Sequence, residues 1–550
     1  MPTLDWIGKK AILNYHNEVP YRQLVQVAEE SQGDTNSGNL LVEGDNLEAL
    51  QALLPEFEGQ IKLIYIDPPY NTGNEGWVYN DNVNSPEMRT WLAKVVGKES
   101  EDLSRQDKWL CMMYPRLQLL RRLLRPDGSL WMSLDDNSQH LGRMLLDEVF
   151  GGTNFVSTVI WEKSDSPKMD AEYFSPNHEY IFCYALNKPK FAVNKFANDE
   201  DDIPDHYDKV DEEGDIYYLK PLRAMGNGDD TREARPKMFF EITSDNGVSV
   251  LPMMPDGREG RWRWGKEKVE KERYRLDFIE VEGGYSVYYR IYAKNMRPRP
   301  PETIWEHQDV GSGRTAKAQI KKAIKDTKAF DTPKPLGLVQ RILQIATNPQ
   351  GSPDSRGELT PDIVLDSYAG SGTTGHAVLK QNAEDKGNRR FVLVQMADEG
   401  SPEAPKPIAR PITAKRLKYA VEQHGGGFNF MTLGETLFEA DGRIKEGVGY
   451  DALARYVFHV ATGEAWNGQR DGPLLGRASN GVGTYLLYNG VLKDKHPQSG
   501  NVLTRDVLAS LPATQPGDIV YGTACRLTAS KLSQLGLIFR QIPYALKGGQ

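Results

Sequence analysis

The chain predicts an α/β fold: a doubly wound sheet with crossover helices, an inserted domain, and a further α/β segment at its end. Three observations predict it. Apolar strand-like runs alternate with leucines at helical spacing between residues 39 and 190. The alternation lapses between about 190 and 300, where tyrosines, arginines, prolines and short polar runs take over. It resumes from 336 to 396, so one sheet is expected to be built from both sides of an insert.

Taken in order, Leu40-Leu41-Val42 reads as a short strand ending in Glu43-Gly44-Asp45. Leu47, Leu50, Leu53 and Leu54 then recur as one helix face before Pro55. Residues 61–66, Ile-Lys-Leu-Ile-Tyr-Ile, form a buried strand that stops at Asp67, because two prolines cannot continue a central strand. Residues 71–107 are polar, rich in Asn and Gly, and long enough to serve as a functional loop or lid. A helix over 109–124 is closed by Pro126-Asp127-Gly128. A strand at 129–134, a helix through Met144-Leu145-Leu146, and strands at 156–161 and 178–184 come next. Beyond the insert come a helix at 336–346, a strand at 362–366, a helix at 373–382 and a strand at 391–396. After 425, residues 450–462, 485–488 and 519–521 suggest another α/β segment. The expected divisions are therefore 1–190, 191–300, 301–425 and 426–550.

At 550 residues the chain exceeds a single core, and 39% hydrophobic with 26% charged residues is ordinary globular composition. No apolar run is long enough to span a bilayer, and the first ten residues lack a signal-peptide core. A cytoplasmic protein with no membrane partner is expected. Cys111, Cys183 and Cys525 are isolated and the nine histidines contain no HExxH pair, so neither disulfides nor a metal are expected. The net charge of −9 argues against nucleic acid only until its distribution is considered. Residues 199–215 hold ten acids against Lys209, a solvated acidic block that masks a basic stretch downstream. Residues 258–275 hold eight Lys/Arg against four glutamates, with Arg290, Lys294, Arg297 and Arg299 next.

Two segments carry the chemistry. In the first, Ile363-Val364-Leu365 runs into Asp366, and Gly370-Ser-Gly372-Thr-Thr-Gly375 satisfies G-x-G-x-x-G at a strand-to-helix junction. Glycines there let a ligand approach the backbone closely. A dinucleotide site and a tight structural turn both use such a loop. Asp366 favours S-adenosylmethionine, since it suits a ligand ammonium and repels a pyrophosphate. Where a dinucleotide ribose would want an acid stands Gln395, and Asp398 and Glu399 come one loop step later. The second segment is Asp67-Pro68-Pro69-Tyr70. An exocyclic amine on an aromatic base is a poor nucleophile because its lone pair is delocalised. The Asp67 carboxylate and Pro68 carbonyl can accept its two hydrogens and localise that pair. Pro69 stiffens the turn, and Tyr70 offers a stacking face worth roughly 1–3 kcal/mol.

Together, Asp67-Pro-Pro-Tyr70, the adjoining Asn71-Thr72-Gly73 and the 366–374 loop resemble the amino-group DNA methyltransferases. The catalytic motif precedes the cofactor loop, as in the β-ordered subgroup, which includes the modification subunits of type III restriction systems. The resemblance implies a Rossmann-like methyltransferase sheet in circularly permuted order, with a target-recognition domain between the two motifs. It covers 40–190 and 300–420. It implies that Asp45, in Gly44-Asp-Asn-Leu47, contacts the cofactor adenine, and that Thr332-Pro-Lys334-Pro helps close the methionine pocket. Tyr114-Pro-Arg-Leu117 and Pro126-Asp-Gly128 resemble the helix and strand after the catalytic loop. Tyr368 stands where many relatives have Phe, and either ring can flank the cofactor. Asp at 67 favours adenine N6, since cytosine-N4 enzymes more often carry Ser.

The expected cofactor is S-adenosylmethionine, held by Asp45, Lys334, Asp366, Tyr368, Gly370, Gly372, Thr373 and Gln395. In the insert, Arg261, Trp262, Arg263, Trp264, Lys266 and Arg290 combine cations with stacking or wedge groups suited to double-stranded DNA whose target base is extruded. A small β-rich domain with aromatic core residues and a solvated basic face is the bland alternative for each. The expected activity is site-specific adenine-N6 methylation of DNA within prokaryotic restriction-modification. Cytosine N4, or a DNA-recognition subunit without turnover, are the alternatives. Residues 426–550 carry no chemistry of their own, and the family suggests self-association or a helicase–nuclease restriction partner.

Overall fold

Pro68 and Pro69 end a strand whose six residues, Ile61–Ile66, are all buried. Such a strand needs cover on both faces, and the sheet around it supplies neighbours on either side. The structure is a computed structural model. It describes residues 4–71 and 104–542, apart from 168, 170, 197–202, 226–228, 245, 282–283, 326–329, 355–356, 402–403, 440–443, 446 and 490–499. The loop or lid expected at 71–107 lies almost wholly outside the described residues, as do Thr72 and Gly73.

The strands of the main sheet are β1 (Arg22–Gln26), β2 (Leu40–Glu43), β3 (Ile61–Ile66), β4 (Leu124–Leu134), β5 (Phe155–Glu162), β6 (His178–Ala185), β7 (Ile304–Trp305), β8 (Ile363–Asp366), β9 (Arg390–Gln395) and β10 (Gly427–Thr436). Their order is β1-β10-β2-β9-β8-β3-β4-β6-β5-β7, with Gln32–Gly33 also pairing on β10. The six strands from β10 to β4 are parallel, and β1 and β6 run against them. The chain leaves β3 toward β4 on one side and β8 toward β9 on the other. The β3/β8 boundary is therefore a topological switch point, where a crevice opens at the strands' carboxyl ends.

Helices cover both faces. Ile64 and Ile66 pack with the leucines of α1 (Asn46–Phe57) and α2 (Arg105–Leu123). On the opposite face Gly375 of α4 (Thr373–Asp385) lets that helix close on the sheet, since a Cβ there would meet Leu393 Cδ1 at 2.9 Å. It would also meet Leu417 Cδ2 of α5 (Lys415–His424) at 2.6 Å. The amphipathic α3 (Leu336–Ala346) completes that layer by packing along α4.

Several boundaries differ from the sequence reading for local reasons. Pro55 lies inside the last turn of α1, whose end is Phe57. The capping box of Ser104 with Asp107 starts α2 before residue 109. Pro126-Asp127-Gly128 does not separate helix from strand; it lies within β4, where the register against β3 shifts between Ile61 and Leu63. The sheet also continues past residue 425, because β10 lies parallel to β2.

The chain divides into two compact units, 195–301 and the remainder. The smaller unit is built on an antiparallel sheet whose order is Leu276–Val281, Gly284–Tyr292, Ile216–Pro221, Lys209–Val210. In the larger unit, α6 (Tyr450–Thr462) and a four-stranded sheet of Leu474–Arg477, Gly483–Leu486, Ile519–Gly522 and Ile538–Gln541 come after β10. Among the described residues no helix is long and apolar enough to cross a membrane.

Candidate active site

Asp67 and Asp366 stand at the carboxyl ends of the neighbouring parallel strands β3 and β8, so both carboxylates meet one cleft. The cleft has a volume of about 450 Å³ and is lined by Asp67, Pro68, Tyr70, Lys334, Asp366, Tyr368, Gly370 and Thr373, among others. That volume falls in the range of small-molecule sites.

The turn after β3 is held from below. Fully buried Trp109, on α2, donates its indole N–H to the Pro69 carbonyl at 2.7 Å. Asn71 completes the turn in the left-handed region, at φ 60°, a conformation Asn tolerates better than most residues. Its side-chain amide is buried and makes no hydrogen bond among the described residues.

Asp67 sits in a network of four charged side chains. Lys334 Nζ donates to its Oδ2 at 2.6 Å, and the Tyr70 hydroxyl donates to its Oδ1 at 2.5 Å. Glu179, on β6, lies with Oε2 3.0 Å from the same hydroxyl and 3.4 Å from Lys334 Nζ. Its Oε1 is 3.3 Å from Lys163 Nζ. Burial, only partly offset by Lys334, raises the Asp67 carboxyl above the usual range. Burial alone would lower Lys334, yet Asp67 and Glu179 hold it above its ordinary value. For Glu179 burial is outweighed by Lys334 and Lys163, so its carboxyl lies below normal. The network thus sets two carboxylates against two ammonium groups.

The glycine loop forms the opposite wall. Asp366 accepts the Tyr368 backbone N–H at 2.9 Å and the Thr374 hydroxyl at 2.6 Å. Burial still pushes its carboxyl up to about 7. Gly370 and Gly372 have φ of 50° and 78°, which a side chain would strain. Gln395 Oε1 accepts the Gly370 N–H at 2.7 Å, and Thr413 donates its hydroxyl to the Gly370 carbonyl at 2.6 Å. Behind the loop, fully buried Arg416 donates to the Ser371 and Thr373 hydroxyls at 2.8 and 2.7 Å. Its Nη2 has no hydrogen-bond partner among the described residues, and burial lowers its pKa to about 9. Ser367 Oγ and Asn46 Oδ1 are likewise buried without partners among the described residues. Positive φ, the Ser371, Thr373 and Thr374 hydroxyls lining the cleft and the Asp366 carboxyl make this wall a fit for a ligand with both anionic and cationic ends.

Not every sequence-expected residue reaches the cleft. Asp45 caps α1, accepting the Leu47 and Glu48 N–H groups, with Arg116 3.7 Å from its other oxygen. Gln395 acts through Gly370, and Gly372 as the N-cap of α4; neither lines the cleft. Lys334 lines it, but its ammonium engages Asp67 of the turn after β3. Glu179, Lys163 and Arg416 were missed, because isolated charged residues, in β6, just after β5 and in α5, form no motif.

Within the 195–301 unit, the tryptophans depart from the expectation. Trp262 and Trp264 are 1% and 6% exposed, in a core with Leu222, Ile242, Val250 and Val287. Both indoles pack into that core, so neither is a surface wedge. Arg290 is committed to Asp277 through bonds of 2.7 and 3.0 Å. Arg261 bonds the Asp229 carbonyl and carboxylate, and Arg263 the Pro221 carbonyl at 3.2 Å. Lys266 is exposed.

A protein-family model described as DNA methylase, of the N6/N4 type, matches residues 61–404. The type III restriction-modification enzyme EcoPI Mod subunit of Escherichia phage P1 is 34% identical over 427 residues, covering 72% of this chain and 63% of that one. The StyLTI Mod subunit of Salmonella typhimurium is 30% identical over 404 residues, covering 71% and 57%. The chain thus spans about three fifths of the length of these curated relatives. Among solved structures, a putative DNA modification methylase from Thermus thermophilus, complexed with S-adenosyl-L-methionine, aligns at 16% identity and TM-score 0.28, covering 72% of this chain and all of that one.

Proposed function

The chain belongs to the N6/N4 DNA methylase family, and from that premise we propose that it methylates adenine N6 in DNA using S-adenosylmethionine. One observation carries the reading: the Asp67-Pro-Pro-Tyr70 turn and the Asp366 glycine loop end adjacent strands and share one cleft. An amine held at one wall can face a methyl donor held at the other.

The donor supplies an electrophilic methyl group on a sulfonium. On the protein side, Gly370, Ser371 and Thr373 would cradle its amino-acid end, Tyr368 would flank it, and Asp366 would face its positive charge. Asp67 and the Pro68 carbonyl accept the two N6 hydrogens of an extruded adenine and localise the nitrogen lone pair. Tyr70 supports the base. Catalysis is then positioning together with charge stabilisation. The surplus proton leaves N6 after transfer, so Asp67 need not be a strong base.

Asp at 67 supports adenine; cytosine N4 is the competing target. We read the sheet as a permuted methyltransferase sheet and the 195–301 unit as its DNA reader. The Mod subunit names of the relatives support association with a restriction subunit.

The test is methyl transfer to mixed-sequence DNA, with the product digested to nucleosides. N6-methyl-2′-deoxyadenosine from wild type, with Asp67→Ala inactive yet still binding S-adenosylmethionine, is expected. N4-methyl-2′-deoxycytidine instead, or near wild-type transfer by Asp67→Ala, would sink the reading.

A further inference from the structure

Both oxygens of Asp67 are engaged before any amine arrives, Oδ1 by Tyr70 and Oδ2 by Lys334. A carboxylate has about four acceptor sites, so occupancy alone does not exclude a further donor. Charge decides the matter. The attacking nitrogen gains positive charge as the methyl arrives, and an ammonium seated on the same carboxylate opposes that change. The site therefore needs somewhere else to put Lys334.

Glu179 supplies that place. Its Oε2 faces both groups that occupy Asp67, at 3.0 Å from the Tyr70 hydroxyl and 3.4 Å from Lys334 Nζ. Tyr70 has one hydroxyl hydrogen, and two acceptors stand within its reach. Glu179 is anchored independently, through Oε1 to Lys163 and by its place in β6 between β4 and β5. It lines the same cleft and is 7% exposed. A buried acid within reach of both of its neighbour's donors is more than a passive counter-ion.

We propose that Glu179 is a positioning residue that takes Lys334 and Tyr70 from Asp67 when an exocyclic amine docks there. This rests on the amine-methyltransferase reading. The ion pair changes from Lys334–Asp67 to Lys334–Glu179, and the tyrosine hydrogen bond moves with it. No proton changes owner: Lys334 stays charged and Tyr70 keeps its hydrogen. Without a base, the Lys334–Asp67 pair keeps the buried carboxylate compensated and masks it.

The test is a double-mutant cycle on the 550-residue chain, with Glu179→Gln, Lys334→Met and the double variant. The measurements are single-turnover transfer of labelled methyl to mixed-sequence DNA, and S-adenosylmethionine binding by calorimetry. Glu179→Gln is expected to slow transfer roughly tenfold to hundredfold with donor affinity nearly unchanged. In the Lys334→Met background the same change is expected to cost under about threefold, because no ammonium remains to be moved. Equal losses in the two backgrounds, or no loss in the first, overturn the proposal. A wild type that transfers methyl to no base overturns the underlying reading as well, which separates the two failures. As a second readout, Glu179→Gln is expected to move the acid limb of the transfer rate to lower pH, since the Glu179 charge helps hold the Asp67 carboxyl high. An acid limb unmoved in a folded Glu179→Gln protein counts against the exchange.

Discussion

Asp366 shows what burial does to one residue. Its carboxyl is pushed up to about 7, although the Tyr368 N–H and Thr374 hydroxyl pull the other way. The folded protein thus holds this proton more tightly than the unfolded chain, where the ordinary value is 3.8. Its contribution to stability accordingly falls as pH rises from 3.8 to about 7 and is level above. A cationic ligand favours the ionised form, so its affinity should rise across that window. Unfolding midpoints against pH, with and without S-adenosylmethionine, are expected to show both trends in wild type and neither in Asp366→Asn. Arg416 is the converse case, a buried cation whose near partners, Ser371, Thr373 and His376, are neutral hydrogen-bond acceptors. Replacing an uncompensated buried charge by an apolar group of similar volume is often stabilising. Arg416→Met is expected to raise the midpoint of the ligand-free protein and to weaken S-adenosylmethionine binding at least about tenfold, a loss of roughly 1.4 kcal/mol. Calorimetry and thermal melting check it. If melting falls and binding holds, the arginine is structural alone.

At the scale of elements, the helix starts and strand ends that aim the site were the most legible features. Leu47, Leu50, Leu53 and Leu54 announce α1, and Asp45 is its cap because Asp at that position satisfies two free N–H groups. Asp45→Ala is expected to cost about 1 kcal/mol in denaturant unfolding. Asp45→Asn preserves the cap, so a lowered cofactor affinity in that variant would show the direct contact inferred from family resemblance. The packing of α2 beneath the turn after β3 is less legible, because a tryptophan in a helix reads as core. Yet Trp109 is the group that holds the Pro69 carbonyl. Trp109→Phe removes one hydrogen bond and keeps most of the packing, a change of about 0.5–1.5 kcal/mol. Transfer is expected to slow far more than stability falls, because the turn bearing Asp67 loses its anchor; parallel losses would argue for packing alone.

For the whole molecule, residues 195–301 form a compact unit with its own core. Its basic character was legible, whereas the role of each residue was not. Trp262 and Trp264 looked like wedges beside cations, but both are buried in the core of the unit. The exposed Lys266, Lys268 and Lys271 are the better candidates for touching DNA. Neutralising all three should weaken DNA binding across sequences and flatten log K against log salt by about 0.9 for each phosphate that no longer meets a lysine. An unchanged slope would remove this face from the interface.

The sequence by itself determined the strands β2, β3, β8 and β9 and the two motifs that end β3 and β8, because prolines, glycines and runs of apolar residues act through neighbours along the chain; β1, β7 and β10 carried no such local signal. It also carried the chemistry proposed for Asp67 and Asp366. Tertiary structure decided which residues share the cleft. Lys334 reaches Asp67 across 267 positions, and Glu179 reaches Tyr70 across 109. Such pairings come from strand order, which places β3 beside β8 and β6 beside β4. Sheet order is a property of packing among distant segments, and no local pattern encodes it.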